Sequence, residues 1–212
     1  MFTIGYLARF VTKWGVCHDR MLHKLYSYLL ATKDYTLHSR VDSNDFGSVF
    51  LCGFPDVDHA GCKETAKSTS GNYLEFASEN SSTCANLEWS SKRQGCVSHS
   101  TTEAETVSIS KILRESALPA QQLWSLLLDR RVLLKLKEDN TATIRIIEIG
   151  YSSQLRYISK TQRVSIGFVH EACSAEDVLL EYIDTNLQKG DFLTKGLDQL
   201  KIKSACLMVG IY

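Results

Sequence analysis

Four carboxylates stand apart from the other acids of the sequence. Asp56 lies within or just after the apolar run SVFLCGFPDVD, and Asp139 ends a second run, VLLKLKED. Glu105 falls in the first turn of a long helical stretch, and Asp191 in the first turn of another, NLQKGDFLTKGL. A single Asp or Glu is ordinarily a solvated surface group, and acids at strand ends are common. If the two apolar runs are neighbouring strands, however, Asp56 and Asp139 lie side by side at one sheet edge. The two helix starts then bring Glu105 and Asp191 to the same place. Carboxylates gathered in this way raise one another's pKa and call for cations, and hard oxygen donors suit Mg²⁺ or Mn²⁺. Two such ions about 4 Å apart can clamp the attacking water and the leaving 3′ oxygen of a phosphodiester, one acidifying the water and the other neutralising the leaving charge. That chemistry needs no side-chain nucleophile. The sequence offers no GxSxG, no GxxxxGK(S/T) and no convincing triad.

The elements that must position these acids can be read from hydrophobic pattern. Residues 1–37 read as helical, with Tyr6, Phe10, Met21, Leu22, Leu25, Tyr28 and Leu29 at helical spacing. Residues 38–48 are polar and rich in turn formers, which places a boundary there. SVFLCGFPDVD, GNYLEFAS and CANLEWSS read as three strands, with Asn80, Ser81 and Ser82 as a hairpin turn between the last two. A cap at Ser100, Thr101 or Thr102 opens a helix with Glu103 and Glu105 in its first turn. Pro119 predicts a break or kink before QQLWSLLLD continues as helix. VLLKLKED is a fourth strand, and TATIRIIEIG a helix stopped by Gly150. LRYISKTQRVSIGFVHE is a loop and then a helix, DVLLEYID a fifth strand, and NLQKGDFLTKGL starts the last helix. This order suggests a mixed sheet with helices packed on it.

Composition is compatible with one domain plus a short extra segment in 212 residues. Lys plus Arg equals Asp plus Glu at 24 each, so any basic surface for a polyanion must be local. No apolar run is long enough to span a membrane. The N-terminus is interrupted by Arg9 and Lys13 and has no small-residue cleavage site, so no secretory signal is expected. The cysteine count is odd and no CxxC occurs, which reads as reduced thiols packed as small hydrophobes in an intracellular protein. Cys52, His59 and Cys62 match none of the common zinc spacings.

The segments around the acids carry a resemblance. Phe54-Pro55-Asp56-Val57-Asp58-His59-Ala60-Gly61 is similar to "DADWAG", Lys67-Ser68-Thr69-Ser70-Gly71 to "RSTSG", and Trp89-Ser90-Ser91-Lys92-Arg93-Gln94 to "WSSKKQ". Ser100-Thr101-Thr102-Glu103-Ala104-Glu105 is similar to "SSTEAEY", Glu138-Asp139-Asn140 with Ala142 to "CDNQSA", and Gly190-Asp191-Phe192-Leu193-Thr194-Lys195 to "ADILTK". In that order and spacing they resemble the ribonuclease H domain of copia-type retrotransposon Pol polyproteins, over roughly residues 47 to 200. The resemblance implies an α/β, ribonuclease H-like fold: a five-stranded mixed sheet with helices on both faces, preceded by N-terminal helices. It also implies cleavage of the RNA strand of RNA–DNA hybrids with two Mg²⁺ (or Mn²⁺) ions. It selects Asp56 over Asp58 and Glu105 over Glu103, with Asp139 and Asp191 as the third and fourth ligands. Cys62, Thr106, His59 and Thr161-Gln162-Arg163-Val164 depart from the family's pattern.

Residues 1–37, through GYLARFVTKW and LHKLYSYLLATKDYTL, resemble the end of the adjoining reverse transcriptase. The expected division is therefore 1–46, a helical reverse transcriptase remnant and linker, and 47–212, the ribonuclease H-like domain. No YxDD occurs, so no polymerase activity is expected. Expected partners are an RNA–DNA hybrid and the remainder of the polyprotein, with no membrane, in a cytoplasmic particle or the nucleus.

A hybrid must be held by phosphates and 2′ hydroxyls. Ser68, Lys92, Arg93, Asn140 and Lys195 are the candidates, with Lys67, Lys160 and Arg163 in support. Trp89 and Trp124 read as core rather than base-stacking platforms, and His99 and His170 as surface. Two other readings compete: an inactive remnant that folds and at most binds nucleic acid, and a three-acid transposase or integrase core. The fourth acid in GDFLTK and the WSSKRQ segment argue against the latter.

Overall fold

The computed structural model describes residues 1–79 and 83–212; the expected turn at Asn80, Ser81 and Ser82 lies outside them. Two helices, α1 (Phe2–Ala8) and α2 (Val16–Ala31), come first. Five strands follow: β1 (Phe50–Asp58), β2 (Thr69–Ala77), β3 (Cys84–Arg93), β4 (Leu134–Glu138) and β5 (Val178–Tyr182). Between β3 and β4 lie α3 (Thr101–Ile112) and α4 (Leu118–Leu127). Between β4 and β5 lie α5 (Thr141–Ile149), α6 (Ile158–Thr161) and α7 (Ile166–Cys173), and α8 (Gln199–Met208) ends the chain.

The strands form one sheet in the order β3-β2-β1-β4-β5. The first three pair antiparallel, whereas β4 runs parallel to both β1 and β5. This is the mixed sheet of a ribonuclease H-like fold, with the two acid-bearing strands adjacent. β1 is buried at every position from Leu51 to Val57 because it is central and covered on both faces.

The two faces are covered unequally. Leu51, Leu74, Phe76, Leu134 and Leu136 pack against Ile109, Ile112 and Leu113 of the α3 region, with Ile147 of α5 and Val169 of α7. Trp124 closes this core edge-on to Phe76, with ring centroids 4.4 Å apart. On the other face a smaller cluster joins Cys52, Phe54 and Tyr73 to Leu193 and to Val209 just past α8. Trp89 belongs to neither core: it is exposed on the edge strand β3, where no further strand covers it.

The helix boundaries differ from the sequence reading in three places. Ser100 caps α3 by accepting from the Glu103 N–H at 3.1 Å, so Glu103 occupies the first turn and Glu105 the second. Pro119 does not break its helix. A π-helical turn over Leu113–Ala117 leads directly into α4, and Pro119 sits in the first turn of α4, so the irregularity expected of the proline is this local widening of the helix. The last helix begins at Gln199, capped by the Asp198 carboxylate accepting from Lys201 N–H, not at the NLQKGD segment. That segment forms two 3₁₀ turns, Thr185–Leu187 and Asp191–Leu193. Gly150 ends α5 as expected, in the left-handed conformation at φ 75°. Among residues 1–37 only Leu7 and Phe10 are buried, and α2 buries no residue.

Candidate active site

Three of the four acids converge. Asp56, Glu105 and Asp139 each offer a carboxylate oxygen within 4.8 Å of the others. Asp56 faces Gly71 across the β1–β2 ladder, Asp139 follows the last residue of β4, and Glu105 comes from the second turn of α3, which lies on β1. The α3–β1 contact is polar at this level: the Ser108 hydroxyl donates to Asp56 O at 3.0 Å. Glu103, two residues from Glu105, turns away. Its carboxylate accepts from His99 N–H at 2.7 Å and from the Tyr157 hydroxyl at 2.8 Å, so it serves the helix start.

Asp191 does not join this cluster; its carboxylate is ion-paired with Lys195 at 2.5 Å. The loop that carries it nevertheless touches Asp56. Thr194 Oγ1 donates to Asp56 Oδ2 at 2.8 Å. A Cβ on Gly190 would come within 2.7 Å of Asp56 Cβ, and one on Gly71 within 2.7 Å of the Gly190 carbonyl. Only the absence of side chains lets the loop seat on the sheet here.

The electrostatics follow from gathering acids in a dry place. Burial raises Asp56 to about 6, and Asp191 and Asp139 add to the rise against the Thr194 bond and Lys195. Burial, then the charges of Glu138, Asp56 and Asp139, push Glu105 far above the carboxylate range. Glu138 does not stand out from the sequence. It is fully buried at the end of β4, and burial raises it strongly against a bond from Asn140 N–H. It stands where the "CDNQSA" pattern has a cysteine, which is the one signal that could have found it. Glu105 Oε2 and Glu138 Oε2 are buried without a hydrogen-bond partner. An all-oxygen carboxylate set with an orphaned, buried oxygen fits a hard divalent cation, which would take the place of the missing protons and donors.

The expected substrate contacts separate. Lys92 and Arg93 line a cleft of about 370 Å³ together with Arg163, Lys111 and Arg114. Lys111 and Arg114 escape a sequence reading because they lie on and just after α3, and only folding turns them toward the end of β3. Lys92 is exposed and 3.5 Å from Glu115. Ser68 is fully buried and accepts from Ala60 N–H, so it braces the turn after β1. Asn140 caps α5 by accepting from Ala142 and Thr143 N–H. Lys195 pairs with Asp191, and Lys67 donates to the Gly95 carbonyl. His170 is bonded through Nδ1 to Ile147 O at 2.8 Å, tying α7 to α5.

Cys52, His59 and Cys62 do not form a ligand set among the described residues. Cys52 is in the smaller core, His59 Nε2 bonds Ser98 O, and Cys62 meets Arg93. All seven cysteines are free. Among the described residues no helix is long and apolar enough to cross a membrane.

No family model matches the chain. Over 213 aligned residues, 99% of the chain, it is 25% identical to the retrovirus-related Pol polyprotein from transposon TNT 1-94 of Nicotiana tabacum, of which it spans 15%. It is 30% identical over 113 residues, 53% of the chain, to secreted RxLR effector protein 161 of Plasmopara viticola, covering 72% of that protein. Among solved structures, ribonuclease H1 from the archaeon Halobacterium salinarum aligns over 68% of this chain and 93% of its own, with TM-score 0.47 and 11% identity. LC11 ribonuclease H1 from compost aligns over 68% and 92%, with TM-score 0.47 and 14% identity. At that level of likeness the fold rests on the strand order and register described above.

Proposed function

The chain is homologous over 99% of its length to a copia-type Pol polyprotein, and from that premise we propose that it hydrolyses the RNA strand of RNA–DNA hybrids by two-metal-ion catalysis. The observation that carries this reading is the convergence of Asp56, Glu105 and Asp139 within 4.8 Å. These three, with Asp191 on the adjoining loop, would hold the ions. Divalent cations bound there would acidify a water and neutralise charge on the leaving oxygen. Thr194 orients the Asp56 carboxylate through its 2.8 Å bond. Lys92, Arg93 and Arg163 in the basic cleft would hold backbone phosphates. Residues 1–46 would be the end of a reverse transcriptase and its linker, and 47–212 the ribonuclease H unit. The rest of the polyprotein is the expected partner, inside the cell.

The test is a labelled RNA–DNA hybrid with Mg²⁺. We expect endonucleolytic cleavage of the RNA strand, reduced on the order of a thousandfold by Asp56→Asn, or about 4 kcal/mol of barrier. A protein that binds the hybrid and cleaves it in neither form would sink the reading. It would instead support a second one, a folded remnant that only binds nucleic acid. Glu138 favours that second reading, because a buried carboxylate stands in place of a neutral thiol beside Glu105.

A further inference from the structure

β1 is the central strand, yet it contains a proline. β1 and β4 pair with Leu51, Cys52 and Gly53 opposite Leu134, Lys135 and Leu136, and Leu51 N–H donates to Leu133 O at 2.8 Å. Alternate residues of a parallel strand address the same neighbour. The β1 positions that donate toward β4 are therefore 51, 53 and 55, and the acceptor due to position 55 is the Lys137 carbonyl. Position 55 is Pro, which has no N–H. A proline in a central strand would leave that acceptor orphaned, and such prolines are confined to edges and bulges. The missing rung lies directly before Asp56 on one strand and two residues before Asp139 on the other.

A side chain fills the gap. Gln188 is buried, 1% exposed, and its Nε2 donates to both Lys137 O and Pro55 O at 3.0 Å. Its Oε1 accepts from Gly190 N–H at 3.2 Å, in the loop that carries Asp191 and Thr194. We propose that Gln188 is a positioning residue for the acid site: its amide replaces the ladder rung deleted by Pro55 and fixes β1, β4 and the Asp191 loop at one spacing. Its effect on cleavage rests on the ribonuclease reading above; its effect on cation binding does not.

The experiment compares Mn²⁺ affinity, by calorimetry and electron paramagnetic resonance, in the wild type, Gln188→Met, Pro55→Ala and the double variant. Thermal melts show which variants fold. Loss of an outer contact to a ligand set weakens metal binding by roughly 10–100-fold, so Gln188→Met should raise the Mn²⁺ Kd at least about tenfold. Pro55→Ala returns an N–H to the Lys137 carbonyl. The double variant should therefore bind Mn²⁺ more tightly than Gln188→Met alone, a recovery that a generic loss of stability would not give. On hybrid, Gln188→Met should lower kcat with little change in KM. Wild-type Mn²⁺ affinity in Gln188→Met, or no recovery in the double variant, overturns the proposal. If Gln188→Met does not fold, recovery of a folded, Mn²⁺-binding protein by Pro55→Ala supports it, and failure to recover overturns it. A wild type that binds Mn²⁺ but leaves the hybrid intact removes the ribonuclease reading alone, and the Mn²⁺ series still decides the role of Gln188.

Discussion

Helices α2 and α3 invert the usual relation between pattern and burial. α2 carries apolar residues at helical spacing, yet none is buried, and Tyr26, Leu29 and Leu30 face solvent. α3 is rich in Ser, Thr and Glu, yet eight of its residues are buried, including Glu103, Glu105, Thr106, Ser108 and Ser110. A stripe on a helix proposes a partner; the rest of the chain decides whether one exists. Polar residues of α3 are tolerated in the interior because they meet polar neighbours there. Glu103 accepts from His99 N–H at the cap and Ser108 donates to the Asp56 carbonyl; Glu105 is the exception, set among other acids with Oε2 unpartnered, at the place where a cation would compensate it.

The contrast can be broken at its apolar end first. Ile109→Ala empties a fully buried position under the sheet and should cost about 3 kcal/mol. Leu30→Ala on α2, 72% exposed, should change stability by less than about 0.5 kcal/mol and improve solubility. Chemical denaturation of the two variants side by side measures the difference. Equal losses would mean that α2 has a partner in solution.

The acids give the next effect. Asp56 titrates near 6 when folded, against an ordinary 3.8. Between these values the folded chain holds more protons than the unfolded one, so metal-free stability falls as pH rises through that window. About 2 units correspond to about 3 kcal/mol. Denaturation midpoints from pH 4 to pH 7 in chelator should decline in the wild type and decline less in Asp56→Asn. An unchanged slope would place the proton elsewhere. A smaller loss is expected at the helix start: Ser100→Ala removes the cap of α3 and should cost about 1 kcal/mol. The same melts detect it, and α2 offers no equivalent, since its cap position is Gly15.

Much of the molecule is legible in sequence where the signal is local. Strand order along the chain, the α5 stop at Gly150 and the placement of Asp56, Glu105 and Asp139 near element ends all follow from short-range pattern. What escapes depends on neighbours distant in sequence. Asp191 reads as a helix start because acids favour one, but Gly190 must press against β1, and the backbone takes a 3₁₀ turn there. Trp89 reads as core from its strand pattern, but its strand is the sheet edge. Glu138 is hidden beside Asp139 because a one-residue step along a strand normally alternates between core and solvent, and here both lie at the site.

The seat of the Asp191 loop also bears on how this sequence can vary. Gly190 has φ −71° and ψ −27°, a conformation open to every residue type. A library of substitutions at this position would nevertheless return glycine, because the space for even one methyl is taken by Asp56 and the Phe54 carbonyl. Gly71 should behave alike, since the Gly190 carbonyl fills its side. Such a pair of intolerant glycines would look like a demand for backbone flexibility. Here it would record the reverse, two segments stacked so closely that neither can drift.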